Sequence, residues 1–121
     1  MEDQPSTPVL MFVAHRDVES RVMVALAEAG LDDITSAQSR LMQRLDPAGM
    51  RLTDLAEQAR VTKQTAGALV DQLERAGYVM RRPDPSDARA RLVTLSERGL
   101  TACSAAAAEV ARVEQEWRRH L

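Results

Sequence analysis

The spacing of apolar residues changes period along this chain, and each change marks a boundary. Val9 to Ala14 are apolar almost all round, and Val18, Val22, Ala25 and Leu26 continue as one stripe, which predicts a helix over residues 9–30 closed by Gly30. The polar stretch before it, residues 1–8, holds Pro5 and Pro8 and is expected to be a disordered end. Thr35-Ser36-Ala37-Gln38 has the spacing of a capping box, so a second helix should run to about Leu45, where Asp46-Pro47-Ala48-Gly49 stops it. Met50-Arg51-Leu52 is expected to add a short strand.

The next stretch has few structural solutions. Thr53 can cap a short helix with Leu55, Ala56 and Ala59 on one face, Arg60-Val61-Thr62 breaks the period, and Thr62 can cap a longer helix from Lys63 to Ala76. There Ala66, Leu69, Val70 and Leu73 form one apolar stripe, Gly77 supplies the stop, and Val61 can pack on Ala66 as a hydrophobic staple. Two helices joined so tightly read as a helix-turn-helix. Tyr78 to Arg82 is then strand-like, Pro83-Asp84-Pro85-Ser86-Asp87 must turn, and Arg89 to Leu95 alternates, with Arg89, Arg91, Val93 and Leu95 on one face and Ala90, Leu92 and Thr94 on the other. Such a basic hairpin is a wing.

Ser96 caps a last, alanine-rich helix that runs to the end of the sequence over roughly 37 Å, with Val110, Val113 and Trp117 in a stripe. The fold class that results is mainly α with a small β-wing. A winged helix-turn-helix domain, residues 31–95, is flanked by helices at 9–30 and 96–121 that carry more apolar surface than so small a domain needs. Dimerisation is the simplest use for that excess.

Composition narrows the classes. The chain has 121 residues, 45% hydrophobic and 28% charged, with no apolar run long enough to span a membrane, an acidic start (Glu2, Asp3) and one cysteine, Cys103. A soluble, cytoplasmic protein of one small domain without disulfides is expected. Net charge is −2, yet from Arg60 to Arg91 seven Lys/Arg stand against four Asp/Glu, so basic charge gathers where a duplex would lie. His15 and His120 lack metal-ligand spacing, and no nucleophile–base pair or phosphate loop is present, so neither a metal, a cofactor nor an enzymatic activity is expected. Aromatic content of 2% argues against single-strand recognition by stacking.

The chemistry is recognition. A helix presented by a helix-turn-helix enters the major groove with its first turns nearest the base edges, which selects Lys63, Gln64 and Ala68 as base-facing. Gln64 suits adenine, Lys63 suits guanine, and Ala68 can touch a thymine methyl. Thr62 caps the helix and leaves its N-terminal N–H groups for a phosphate, while Thr65 serves either backbone or base. Arg81, Arg82 and Arg91 supply cations along the wing. Asp87 and Arg89 are two apart, so the carboxylate can hold the guanidinium in an aimed geometry.

Leu55-Ala56, Val61 to Thr65, Leu69 to Glu74, Gly77-Tyr78-Val79, Arg81 to Arg89 and Leu95 to Gly99 closely resemble the MarR family of bacterial transcription regulators, including its Asp-x-Arg wing motif at Asp87 and Arg89. The resemblance implies that Arg89 enters a minor groove and that two copies bind a pseudo-palindromic operator in double-stranded DNA. It also implies a small-molecule effector lodged between dimer helices and winged domain. His15 and Arg16 are candidates for an anionic effector, with an ordinary solvated helix face as the equal alternative. Ala88 departs from the family pattern, in which another arginine is frequent there, and the sequence stops at Leu121 without the family's further C-terminal helix.

Two functions follow from different classes. The first is a homodimeric, sequence-specific transcription regulator, in the first instance a repressor, released by a small ligand. The alternative is a protein-interaction module of the same fold that lacks competent DNA binding and pairs with a full-length relative.

Overall fold

The computed structural model describes residues 6–120. Its order of elements is α1 (Thr7–Glu28), α2 (Ser36–Met42), α3 (Leu52–Ala59), α4 (Lys63–Arg75), β1 (Val79–Asp84), β2 (Asp87–Leu95) and α5 (Glu97–Arg119). The protein is therefore mainly helical with one two-stranded antiparallel sheet. It divides into two compact units, one formed by α1 with the part of α5 from Ala105 onward, the other by Asp33–Ser104.

In the first unit, α1 starts at Thr7, two residues before the expected Val9, because Pro8 falls in the first turn, where its missing N–H and fixed φ cost nothing. The rest of the expected disordered end, residues 1–5, lies outside the described residues. Val22, Leu26 and Val113 are buried, and Arg21 of α1 reaches α5, donating to Glu116 (2.9 Å from Nη2 to Oε1) and pairing with Glu109 at 3.0 Å. Val9, Leu10, Met11, Phe12 and Val13 are 50–67% exposed, and Trp117 is 40% exposed.

The second unit is built around α4. Thr35 closes the expected capping box: its hydroxyl accepts from Gln38 N–H at 3.1 Å, and Gln38 Oε1 accepts from Thr35 N–H at 3.0 Å. α2 ends at Met42 rather than near Leu45, the chain tightening through i to i−3 bonds from Arg44 to Leu41 and from Leu45 to Met42 so that Leu45 is buried. The expected strand at Met50–Leu52 is reduced to one bridge, Met50 with Val93, whose two N–H···O bonds are 3.1 and 2.8 Å. That bridge holds the backbone extended through Arg51, so Arg51 rather than Thr53 is the N-cap of α3. Leu55, Ala66, Val70, Leu73 and Tyr78 are fully buried and form the core with Ile34, Leu41, Met42, Val79, Val93 and Ala102. The apolar stripe of α4 thus points inward and leaves its polar face to solvent.

Candidate nucleic-acid interface

The turn between α3 and α4 sets the direction of the polar face. Val61 N–H donates to Ala56 O and Arg60 N–H to Glu57 O, a Schellman closure that places Arg60 in the left-handed region at φ 57°. Thr62 then caps α4 as its sequence requires, accepting from Thr65 N–H at 3.0 Å while its own hydroxyl donates to Thr65 Oγ1 at 3.0 Å. Lys63, Gln64, Thr65 and Ala68 are all exposed on the first two turns. This helix end is free to meet a duplex.

The wing is more irregular than simple alternation implies. Val79↔Leu95 through Pro83↔Arg91 pair in regular antiparallel register, after which Asp84 pairs with Asp87. One step on β1 therefore matches four on β2, and Ala88, Arg89 and Ala90 form an unpaired bulge. The turn proper is Pro85-Ser86, shaped by Asp84, whose Oδ1 accepts from Ser86 N–H at 2.9 Å and from Ser86 Oγ at 2.8 Å.

Asp84 also ties the wing to the helix-turn-helix. Arg51 Nε and Nη2 donate to its Oδ2 at 3.0 and 2.9 Å, and Nη2 lies 3.7 Å from Asp87 Oδ2. The bonds from Ser86 and then the Arg51 guanidinium hold the Asp84 carboxyl below its ordinary range. Because the folded pKa is depressed, this stabilisation is complete above the ordinary carboxylate range and is lost as pH falls through the folded value. Amide exchange at Ser86 should accordingly stay slow down to acid pH in the native protein, and should already be fast at neutral pH in Asp84→Ala, which has no side-chain acceptor. Equal Ser86 protection in the variant would contradict this account.

Two expected wing roles are corrected. Asp87 accepts from the backbone N–H of Arg89 at 3.0 Å rather than from its guanidinium, because the bulge turns the main chain toward the carboxylate. It shapes the wing, and the Arg89 side chain extends exposed. Arg81 is not a free cation: it is only 22% exposed and bridges to α4, 2.8 Å from Asp71 and 2.6 Å from Glu74. Its charge is met inside the domain, so it clamps β1 to α4. Arg82 and Arg91 remain exposed. On α1, His15 Nε2 lies 3.1 Å from Glu19, and the Arg16 guanidinium sits 5.8 Å from the Phe12 ring centre. Cys103 is half-buried with Sγ 3.9 Å from Met42 O, and burial pushes its thiol up, away from an activated thiolate.

A short helix, a closed turn, a second helix exposing its N-terminal polar face and a hairpin carrying exposed arginines define a winged helix-turn-helix, a DNA-binding class of domain. The MarR family model matches residues 34–90, and the winged domain is of the MarR type. Over 51 residues the chain is 41% identical to the transcriptional activatory protein BadR of Rhodopseudomonas palustris, covering 42% of this chain and 29% of that protein. Over 70 residues it is 36% identical to the transcriptional regulator HosA of Escherichia coli O111:H-, covering 57% and 52%. The chain thus spans about half or less of the curated relatives it matches. In fold it is similar to wild-type MarR from Escherichia coli in its apo form, with a TM-score of 0.74 at 23% identity over 99% of this chain and 88% of that one. A Staphylococcus aureus MepR mutant bound to an oligodeoxyribonucleotide gives 0.67 at 21% identity over 98% and 86%.

Proposed function

We propose that this protein is a sequence-specific transcription regulator that binds a pseudo-palindromic operator as a homodimer, one winged domain per half-site, and represses by occupying it. The observation that carries the reading is the exposed first turns of α4, with Lys63, Gln64, Thr65 and Ala68, in the same unit as a wing whose Arg82, Arg89 and Arg91 are exposed. Binding of an oligodeoxyribonucleotide by a protein of similar fold supports it. The apolar half of α1 supports a second copy as partner, since 50–67% exposure of five consecutive large apolar side chains is unfavourable in water. A small effector that alters the spacing of the two recognition helices would release the operator. The engagement of His15 by Glu19 leaves Arg16 as the exposed cation for an anionic effector on that face.

The test is selection of bound duplexes from a random pool, followed by affinity against salt. The expected result is an inverted repeat with half-site centres about one helical turn apart. Failure to enrich any duplex, together with a stable monomer in light scattering, would move the protein to the interaction-module reading. Within the operator, Arg89→Ala should weaken binding to all sequences and lower the salt slope by about one. Gln64→Ala should instead relax preference at one base pair, by about 1–3 kcal/mol of discrimination. Equal, sequence-independent losses from both would contradict this division of labour.

A further inference from the structure

Beside the α3–α4 turn lies an open cavity of about 540 Å³ lined by Arg44, Glu57, Gln58, Ala59 and Arg60. Both arginines are exposed, and neither guanidinium has a hydrogen-bond or ion-pair partner among the described residues. Three other arginines of the same unit are engaged: Arg51 by Asp84, Arg81 by Asp71 and Glu74, Arg98 by Asp33. Two cations left unengaged around one polar hollow favour an anion.

The backbone at Arg60 gives a second, independent observation. Among the described residues it is the one non-glycine with positive φ, at a helix-closing position that glycine fills most easily. The left-handed conformation disfavours an arginine there, so a side chain with a use of its own offsets a local penalty. Position along the chain suggests the use. Arg60 precedes Lys63 by three residues, hence its Cα lies within about 11 Å of that of Lys63. The major groove is about 12 Å wide, so a residue this close to a groove-bound helix end is within reach of its phosphate rim.

We infer that Arg44 and Arg60 form a seat for one backbone phosphate of the duplex, outside both the recognition helix and the wing; this rests on the DNA-binding reading above. Glu57 lines the same hollow and opposes the anion, so the seat works with a lining charge of one net positive. It sets register on the backbone and carries no base information.

The chemistry gives substitutions of opposite sign. Arg60→Gly removes the guanidinium and also relieves the left-handed backbone. It should leave thermal stability unchanged or raised while weakening binding to every duplex. Combined with Arg44→Gln it should lower the salt slope by about one, so that the loss at 50 mM salt exceeds that at 200 mM about threefold. Glu57→Gln should tighten binding. A duplex carrying a neutral methylphosphonate at single positions should weaken wild-type binding at one position to which the double variant is insensitive.

Outcomes separate the two levels of argument. If the wild type enriches an operator and the double variant keeps its slope and its methylphosphonate sensitivity, the seat is refuted and the regulator reading stands. If the wild type enriches no duplex, both fall. If inorganic phosphate titrated into the free protein perturbs the Arg44 and Arg60 side-chain resonances while the double variant binds DNA as the wild type does, the hollow is a small-anion site and the inference is refuted.

Discussion

Tyr78→Ala is expected to remove about 3–5 kcal/mol of stability, the range for deleting a large buried ring, and to lower Tm by roughly 10–20 °C. Tyr78 is the largest fully buried side chain of the chain's described residues. It sits where the end of α4, the start of β1 and the start of α5 converge. Its hydroxyl donates to Asp33, the Arg98 guanidinium lies over its ring at 4.5 Å, and Arg98 Nη2 also holds both Asp33 oxygens at 3.1 Å. Burial together with the Asp33 carboxylate pushes the phenol up, and the same hydrogen bond holds the Asp33 carboxyl down. Tyr78→Phe keeps the ring and leaves Asp33 paired with Arg98, so it should lose only about 1 kcal/mol. Urea and thermal denaturation of the three proteins check this ordering. A Tyr78→Ala protein within 1 kcal/mol of the wild type would mean that the site collapses without cost.

Gly99→Ala is the second large effect, and its sign runs against propensity. Alanine in place of glycine inside a helix ordinarily gains about 0.5–1 kcal/mol. Here a Cβ would stand 2.1 Å from the Tyr78 carbonyl oxygen and 3.0 Å from Leu95 Cδ2. The carbonyl cannot swing aside, because it accepts from Ser96 N–H at 3.0 Å, while Ser96 Oγ donates to Gly77 O and accepts from Gly99 N–H at 3.1 Å. Overpacking against fixed backbone costs about 1–3 kcal/mol and at times more, so a net loss of about 2 kcal/mol is expected. Thermal denaturation and faster exchange of the Ser96 amide would show it; a stabilised variant would mean that the first turn of α5 slides freely over β1.

Local chemistry made much of the fold legible in the sequence. Thr35 with Gln38, Thr62, Ser96 and the stops at Gly30 and Gly77 each act through neighbours two to four residues away, so a linear reading reaches them. The inward stripe of α4 is equally local. What the sequence concealed depends on residues far apart in the chain. Arg81 reads as a surface cation until α4 brings Asp71 and Glu74 beneath it. Arg51 reads as part of a strand until the wing delivers Asp84, 33 positions on. The three-residue bulge has no spacing signal, because Ala88-Arg89-Ala90 alternates well enough to be paired. Arg60 gave no sign of a left-handed backbone, since glycine and asparagine are the residues that announce one. In the candidate interface, the exposed positions of α4 follow from helical period alone, the role of Asp87 from the local path of the bulge, and only the role of Arg81 requires the tertiary fold.

The bulge also separates the length of the wing from its register. In an ordinary hairpin, adding or deleting one residue slips a strand and turns every buried side chain outward. Here the paired stretch from Val79↔Leu95 to Pro83↔Arg91 anchors the faces, and the loose segment beyond it is closed independently by Asp84, Ser86 and Asp87. Insertions or deletions at Ala88–Ala90 therefore change the reach of the arm by at most about 3.3 Å per residue while the core beneath keeps its packing. The reach of the wing becomes a trait that can drift by single codons while the interior is left untouched.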